Sequence, residues 1–338
     1  MTAPAANNAL TPDAALVARF REDFAALGVS GRDPVLLAVS GGADSTALLL
    51  LAHAALGNRC HAATVDHGLR PEAAGEAAAV ARLAAALGVA HATLTAPMPP
   101  RVNRTANVSA RARALRYRLL EDHARAIGAT RIATAHHADD QLETLIMRLN
   151  RGSGVAGLAG IRPVGGRIIR PLLGWRRAEL AALVAQCGIT AIEDPSNVDD
   201  RFDRARLRKV LAEAGWLDAA QWGHSAAALG DAEIALDWAT RRLAAQCCVF
   251  GDKRATLIID DQPVELVRRL VLLCVTKVDS AADPRGGQVM RLVRAIAAAR
   301  DGGAGFRATL GSVLIESDDD RAAGLRVDFS PAPPRRVA

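Results

Sequence analysis

The sequence predicts an α/β fold: a parallel sheet with helices on both faces, followed by a mainly helical region and a small β-containing end. Three observations carry this. Apolar runs of strand length alternate with helix-length segments from residue 33 to about 215, the pattern of strand-helix-strand units. The first apolar run passes straight into a helix-forming run through Ser40-Gly41-Gly42-Ala43-Asp44-Ser45. Past about residue 215 the alternation stops. The expected organisation is an N-terminal arm and helix over 1–32, the α/β domain over 33–215, a helical domain over 216–300, and a β-rich piece with a tail over 301–338.

Each element has its own signal. Thr11-Pro12 supply the cap and first-turn residues of a helix, in which Leu16, Val17, Phe20, Phe24 and Leu27 recur at helical spacing until Gly28 ends it. Strands are expected at 35–40 and 61–66, an Ala-rich helix over 72–87, a short strand at 90–94 and an Arg-rich helix over 107–127. Strand Arg131 to Ala135, helix Asp139 to Leu149, strand Arg167 to Arg170 and helix Arg176 to Cys187 continue the series. Helices over 221–248 and 263–299 then flank a strand at Thr256 to Ile259, a β-rich piece follows at 305–328, and the closing SPAPPRRVA reads as a disordered tail.

Composition narrows the function classes. The chain of 338 residues is long enough for two domains, and its net charge of +6 comes from Arg far more than Lys, which suits a polyanionic partner. A high-GC genome rich in Arg and Ala codons explains the same bias equally well. The five cysteines show no CxxC and no paired spacing, so neither a disulfide framework nor a zinc site is implied. With neither a secretory leader nor a long uncharged apolar run, the chain reads as cytoplasmic and not bound to a membrane.

The turn at 40–45 is built to hold a phosphate. Paired glycines let the backbone approach a ligand with no Cβ in the way. Ser40, Ser45 and Thr46 add hydroxyls, and the free amides that open the next helix favour an oxyanion. Asp44 would repel bound phosphates unless a divalent cation lay between them, so Mg²⁺ is implied. No GxxxxGK[ST] occurs, which disfavours P-loop chemistry. An ordinary Gly-rich turn is the plain alternative.

Parallel sheets bind ligands beyond the carboxyl ends of their strands, and three segments fall there: Ser40 to Ser45, Asp66-His67-Gly68, and His136-His137-Ala138-Asp139-Asp140. Their convergence on one crevice is the central expectation. Asp140 and Glu143 stand three apart at a helix start, so both carboxylates share a face, although acids there also complement the helix dipole. A metal phosphoesterase reading of the same His and Asp residues competes, and it lacks further ligands at recognisable spacing. Gly152, Gly154 and Gly157 satisfy GxGxxG, but the match ends a helix and leads into a loop, so it reads as a flexible, Arg-bearing flap. Arg111, Arg113, Arg116 and Arg118 form one basic cluster, and Arg201, Arg204, Arg206, Arg208 and Lys209 a second; each is also what a solvated helix face looks like. His53, His61, His91, His123 and His224 read as structural or surface residues.

The turn resembles the SGGxDS pyrophosphate loop of the N-type ATP pyrophosphatases, the PP-loop superfamily. With VDHGLR at 65–70, ARALRY at 112–117, AHHADDQLET at 135–144, RGSGVAGL at 151–158, RPLL at 170–173 and EDPSN at 193–197, residues 33–215 resemble the tRNA(Ile)-lysidine synthetase family. That resemblance implies a ligase that uses ATP and free L-lysine to convert the wobble cytidine of a CAU-anticodon isoleucine tRNA to lysidine, through an adenylated tRNA. Cytosine C2 is a poor electrophile, so ATP first adenylates its carbonyl oxygen. The lysine amine, with a pKa near 10.4, must then shed a proton before it displaces AMP, and a carboxylate is the natural acceptor.

By analogy with the family motifs, Ser40, Gly41, Gly42, Ala43, Asp44, Ser45, Asp66 and His67 bind ATP, and Asp44 with Asp140 holds Mg²⁺. Glu143 or Asp140 holds or deprotonates lysine, and Arg113 stabilises the departing charge. His136, Arg116, Arg151, Gly152, Ser153, Gly154, Asp194, Asn197, Arg204 and Arg208 are the expected substrate and tRNA contacts. Two departures stand out: Ser109 where the family commonly has Glu before its ARxxRY block, and Ala205 where it commonly has Asn. The remaining alternatives are another PP-loop adenylating enzyme such as a tRNA thiolase, or a non-catalytic nucleotide- or RNA-binding module. Association as a homodimer is left open.

Overall fold

The computed structural model describes residues 10–29, 33–66, 73–95, 108–192, 203–214, 216–284, 286–302, 304–317 and 324–333. The chain divides into two compact units, Met1–Gly230 and Asp231–Ala338.

Unit 1 is built around a six-stranded sheet in the order β3-β2-β1-β4-β6-β5. These are β1 (Val35–Ala38), β2 (Cys60–Asp66), β3 (Ala90–Thr95), β4 (Arg131–Ala133), β5 (Val164–Gly165) and β6 (Ile168–Ile169). All pairings are parallel except β5 with β6. β1 lies between β2 and β4, so the strand order reverses there. In sheets of this kind the crevice outside that reversal is the ligand site.

Side chains alternate across β1 and so face two cores. Val35 and Leu37 join α1 (Ala14–Ala26), α2 (Ala43–Leu56), α3 (Ala73–Ala86) and α7 (Arg177–Gln186) in one cluster, whereas Leu36 packs with Leu120 and Ala124 of α4 (Val108–Ala126). Helices therefore cover both faces, as expected. α2 is buried almost all round, with Leu48, Leu49, Leu50 and Leu51 fully inaccessible, because β1 lies on one side and α1 and α7 on the other. That fixes the start of α2, and the turn before it, rigidly against the sheet.

Helix α5 (Ala138–Leu149) follows β4, the short α6 (Val155–Leu158) lies in the Gly-rich segment, and α8 (Asp203–Glu213) packs on α5. α9 (Ala219–Cys247) runs from unit 1 into unit 2. Unit 2 holds an antiparallel sheet in the order β7-β8-β11-β10-β9. Its strands are β7 (Cys248–Gly251), β8 (Arg254–Ile259), β9 (Arg307–Leu310), β10 (Val313–Ser317) and β11 (Leu325–Pro331), packed with α10 (Val264–Val278) and α11 (Gly286–Arg300). No helix among the described residues is long and apolar enough to cross a membrane.

Several expectations shift. The cap of α1 is Asp13, not Thr11, because its carboxylate accepts from the Ala15 amide at 2.8 Å. The segment 263–299 is two helices: the first ends at Val278 with Asp279 as its cap and the second begins at Gly286, with Pro284 in the break between them. The tail begins later than expected: Ser330 and Pro331 belong to β11 and pair with Leu314 and Val313.

Candidate active site

The turn after β1 is shaped by one hydroxyl. Ser45 Oγ accepts from the amides of Ser40 at 3.1 Å and Gly41 at 3.2 Å, and donates to the carbonyl of Gly42 at 3.0 Å. Thr46 Oγ1 donates to Gly41 O at 3.3 Å. These two hydroxyls close the loop on itself, while Ser40 stays exposed. Gly41 has φ +93°, a backbone conformation that favours glycine, and a Cβ there would also stand 2.5 Å from Ile192 Cδ1 and make that side chain shift. Gly42 caps α2 without a side chain, which leaves the first amides of the helix available to an anion.

The second loop meets the first at His137. This residue was not among the expected contacts, yet its ring is fully buried and touches three carboxylates. Nε2 lies 3.4 Å from Asp44 Oδ2 and 3.5 Å from Asp140 Oδ2, and Nδ1 lies 3.6 Å from Asp139 Oδ2. Asp44 opens α2 and Asp140 opens α5, so the ring joins the two helix starts. Burial pulls the His137 pKa down, but hydrogen bonds to Asp139 and Asp44 and the charges of Asp140 and Asp44 push it up to about 9. The neutral ring can accept the Asp140 amide at Nδ1, 3.4 Å away, and so cap α5. The imidazolium donates to Asp139 instead.

Asp139 also ties α5 to α7, accepting from the Arg177 amide at 2.7 Å and Arg176 Nη2 at 3.4 Å. Burial raises its pKa, but the His137 hydrogen bond, the Arg177 amide and the Arg176 charge outweigh burial and hold it well below the usual carboxylate range. Asp139 is thus committed to structure. Asp44 Oδ1, by contrast, is buried with no hydrogen-bond partner among the described residues.

Glu143, one turn on, is almost entirely buried. Its Oε1 accepts from Arg208 Nε of α8 at 2.6 Å, and Arg208 Nη2 is 3.5 Å from Asp140 Oδ1. Burial opposes the charge on Arg208, but the hydrogen bond and charge of Glu143, with Asp140 and Asp44, raise its pKa. Arg208, one of the expected substrate and tRNA contacts, stands on the carboxylate pair.

The other expected residues are distributed as follows. Arg113 donates to Tyr117 Oη at 3.2 Å and stacks over its ring; no contact with the carboxylates is seen among the described residues. Arg116 is exposed on the same helix, and Asp66 ends β2 beside the crevice. His136 Nδ1 is 2.9 Å from Thr134 Oγ1. Arg151, Gly152 and Gly154 are exposed, and the Ser153 amide is held by Arg148 O at 3.0 Å. The far end of this segment is a helical turn rather than plain loop. It is pinned by Arg148 donating to Gly160 O at 3.0 Å and by Gln141, which both accepts from and donates to Ile161. His67, Asp194 and Asn197, and the side chains of Ser109, Arg204 and Ala205, lie outside the described residues.

The strand reversal and the closed turn define a PP-loop nucleotide-binding protein, and the PP-loop domain family matches residues 14–214. Among solved structures, the U34-tRNA thiolase NcsA from Methanococcus maripaludis with its [4Fe-4S] cluster has a similar fold: TM-score 0.53, 16% identity, 64% of this chain and 77% of that one. The tRNA(Ile)-lysidine synthase of Novosphingobium aromaticivorans is 44% identical over 94% of both chains. That of Methylobacterium nodulans is 42% identical over 94% of this chain and 97% of its own, and that of Zymomonas mobilis 37% over 89% of each. This chain belongs to the tRNA(Ile)-lysidine synthase family.

Proposed function

We propose that the chain ligates L-lysine to C2 of the wobble cytidine of a CAU-anticodon isoleucine tRNA, with ATP converted to AMP and pyrophosphate, in the cytoplasm. The observation that carries this reading is the meeting of Asp44 and Asp140 on His137. It sets the start of α2 and the acidic start of α5 side by side, which supports one shared site, in a chain whose relatives are named for this reaction.

In the first half-reaction the cytosine O2 attacks the α-phosphorus of ATP and pyrophosphate leaves. The turn at 40–45 and the opening amides of α2 grip the pyrophosphate, with Asp66 and His67 beside the nucleotide. Asp44 and Asp140 would hold Mg²⁺. They fit it: Asp44 Oδ1 has no hydrogen-bond partner among the described residues, and one or two carboxylates are what this ion takes from a protein when phosphates supply the rest. When bound, the ion neutralises phosphate charge.

In the second half-reaction the lysine ε-amine attacks C2, and AMP departs with the former O2. Glu143 or Asp140 holds the ammonium and takes its proton. Arg113 is the proposed stabiliser of the departing charge, and this requires the nucleotide to reach α4. Arg116, Arg204, His136, the 151–154 turn, Asp194, Asn197 and the helical residues 216–300 are the proposed tRNA contacts.

The test is incubation of purified protein with ATP, Mg²⁺, labelled lysine and an unmodified isoleucine tRNA transcript. Lysine should become tRNA-bound with stoichiometric pyrophosphate release, and a C34→U transcript should accept none. Equal transfer to both transcripts would overturn the assignment.

A further inference from the structure

Arg208 stands where a substrate cation has to go. Glu143 is 3% exposed and Asp140 14%, while the Arg208 side chain paired with both is 20% exposed. An arginine remains protonated throughout, and its Nε already occupies Glu143 Oε1 at 2.6 Å. A lysine ammonium seeking that oxygen competes directly with it. The pairing also has a physical reason in the free protein, because a carboxylate this buried is strongly destabilising without a cation beside it.

The helix that carries Arg208 offers a way to remove it. On α8, Arg206 and Lys209 are exposed, on the same short helix as the inward-facing Arg208. Phosphates of a bound tRNA would attract these side chains and α8 with them. α8 meets the rest of unit 1 chiefly at α5, around a small apolar cluster that includes Leu211, Leu142 and Ala138.

We propose that Arg208 is a positioning residue that holds the lysine seat closed in the free protein, and that tRNA bound along α8 withdraws it, so that lysine enters only after tRNA. This rests on the reading of Glu143 and Asp140 as the lysine-holding pair.

Equilibrium dialysis with labelled lysine tests it on the full chain, with and without unmodified isoleucine tRNA, for wild type, R208Q, R208K and R206E/K209E. A seat closed in most molecules weakens apparent affinity by the reciprocal of the open fraction, so opening it should tighten lysine binding by about tenfold or more. Wild type and R208K, which keeps a cation on the pair, should show that tightening only when tRNA is added. R208Q should bind lysine tightly without tRNA, and R206E/K209E should lose the tRNA-induced gain. R208Q binding lysine no better than wild type in the absence of tRNA, with an unchanged melting temperature, would overturn the gate while leaving the ligase assignment intact. Lysine bound by no form under any condition would remove the lysine-holding role of Glu143 and Asp140, and the gate with it.

Discussion

Asp44 is the proposed metal ligand, and its surroundings separate that role from a structural one. It touches His137 through Oδ2 while Oδ1 is buried without a partner. A purely structural carboxylate would use both oxygens on protein donors, as Asp139 does with Arg176 and Arg177. Asp44→Ala should therefore cut lysine-dependent pyrophosphate release by about 10²-fold or more, while tRNA affinity, which depends on other residues, stays near wild type. Filter binding alongside a pyrophosphate assay checks both, and unchanged turnover would remove the metal role. Much of this was legible in the residues: paired glycines, hydroxyls and an acid after an apolar strand specify a phosphate turn. The function of His137 was not, because a histidine beside another histidine at a helix start gives no sign of which ring turns inward. Its position three residues before Asp140, the spacing of a capping box, was the available signal. Ser45 shows a related difference, since composition counts its hydroxyl as a donor to ligand whereas the fold uses it to close the turn.

At the scale of elements, long periodic helices and apolar parallel strands were readable, and short or interrupted ones were not. β5 is two residues long and carries no period to detect, so the hairpin that adds it antiparallel at the sheet edge had no expectation at all, whereas β6 falls inside the strand expected over Arg167 to Arg170. β7 was hidden for another reason: Cys248-Val249-Phe250 continues the apolar run of α9, and only its pairing with β8 decides its conformation. In unit 2 the junction of α9 with α10 depends on a polar network. Arg269, 10% exposed, donates to both oxygens of Glu233 at 2.9 and 2.6 Å and to Glu265 at 2.8 Å. Arg269→Ala strands Glu233, which is 17% exposed, while Glu265 keeps its hydrogen bonds from Arg268, so the cost should be about 2 kcal/mol rather than that of a fully buried pair losing both acids' partner. Hydrogen bonds from Arg268, opposed by burial and aided by Arg269, lower the Glu265 pKa. A carboxyl depressed on folding stabilises above its unfolded pKa and loses that contribution as pH falls through the folded value. The wild-type urea midpoint should thus drop between pH 5 and 3 more steeply than that of Arg269→Ala. Parallel curves would show that the network contributes nothing to this unit.

For the molecule as a whole, the electrostatic question is whether a net charge of +6 is a by-product of Arg-rich composition or part of substrate capture. Composition left the two readings level. The structure places Arg113 and Arg116 exposed on α4 and Arg206 and Lys209 exposed on α8, in the same unit as Asp44, Asp140 and Glu143. Binding through phosphate contacts releases counterions, and log K then falls linearly with log[salt] by somewhat less than one unit per contact. If four to six such contacts form, isoleucine tRNA affinity should weaken by about 10²-fold or more between 50 and 200 mM salt. Arg113 and Arg116 differ in what they should do to that line. Arg116→Ala should lower both affinity and slope by about one contact, whereas Arg113, which stacks on Tyr117, should change turnover more than slope. Fluorescence anisotropy of end-labelled tRNA over a salt series gives each slope directly. A flat line for wild type would mean that recognition does not use phosphates, and the basic helix faces would then be a matter of codon usage alone.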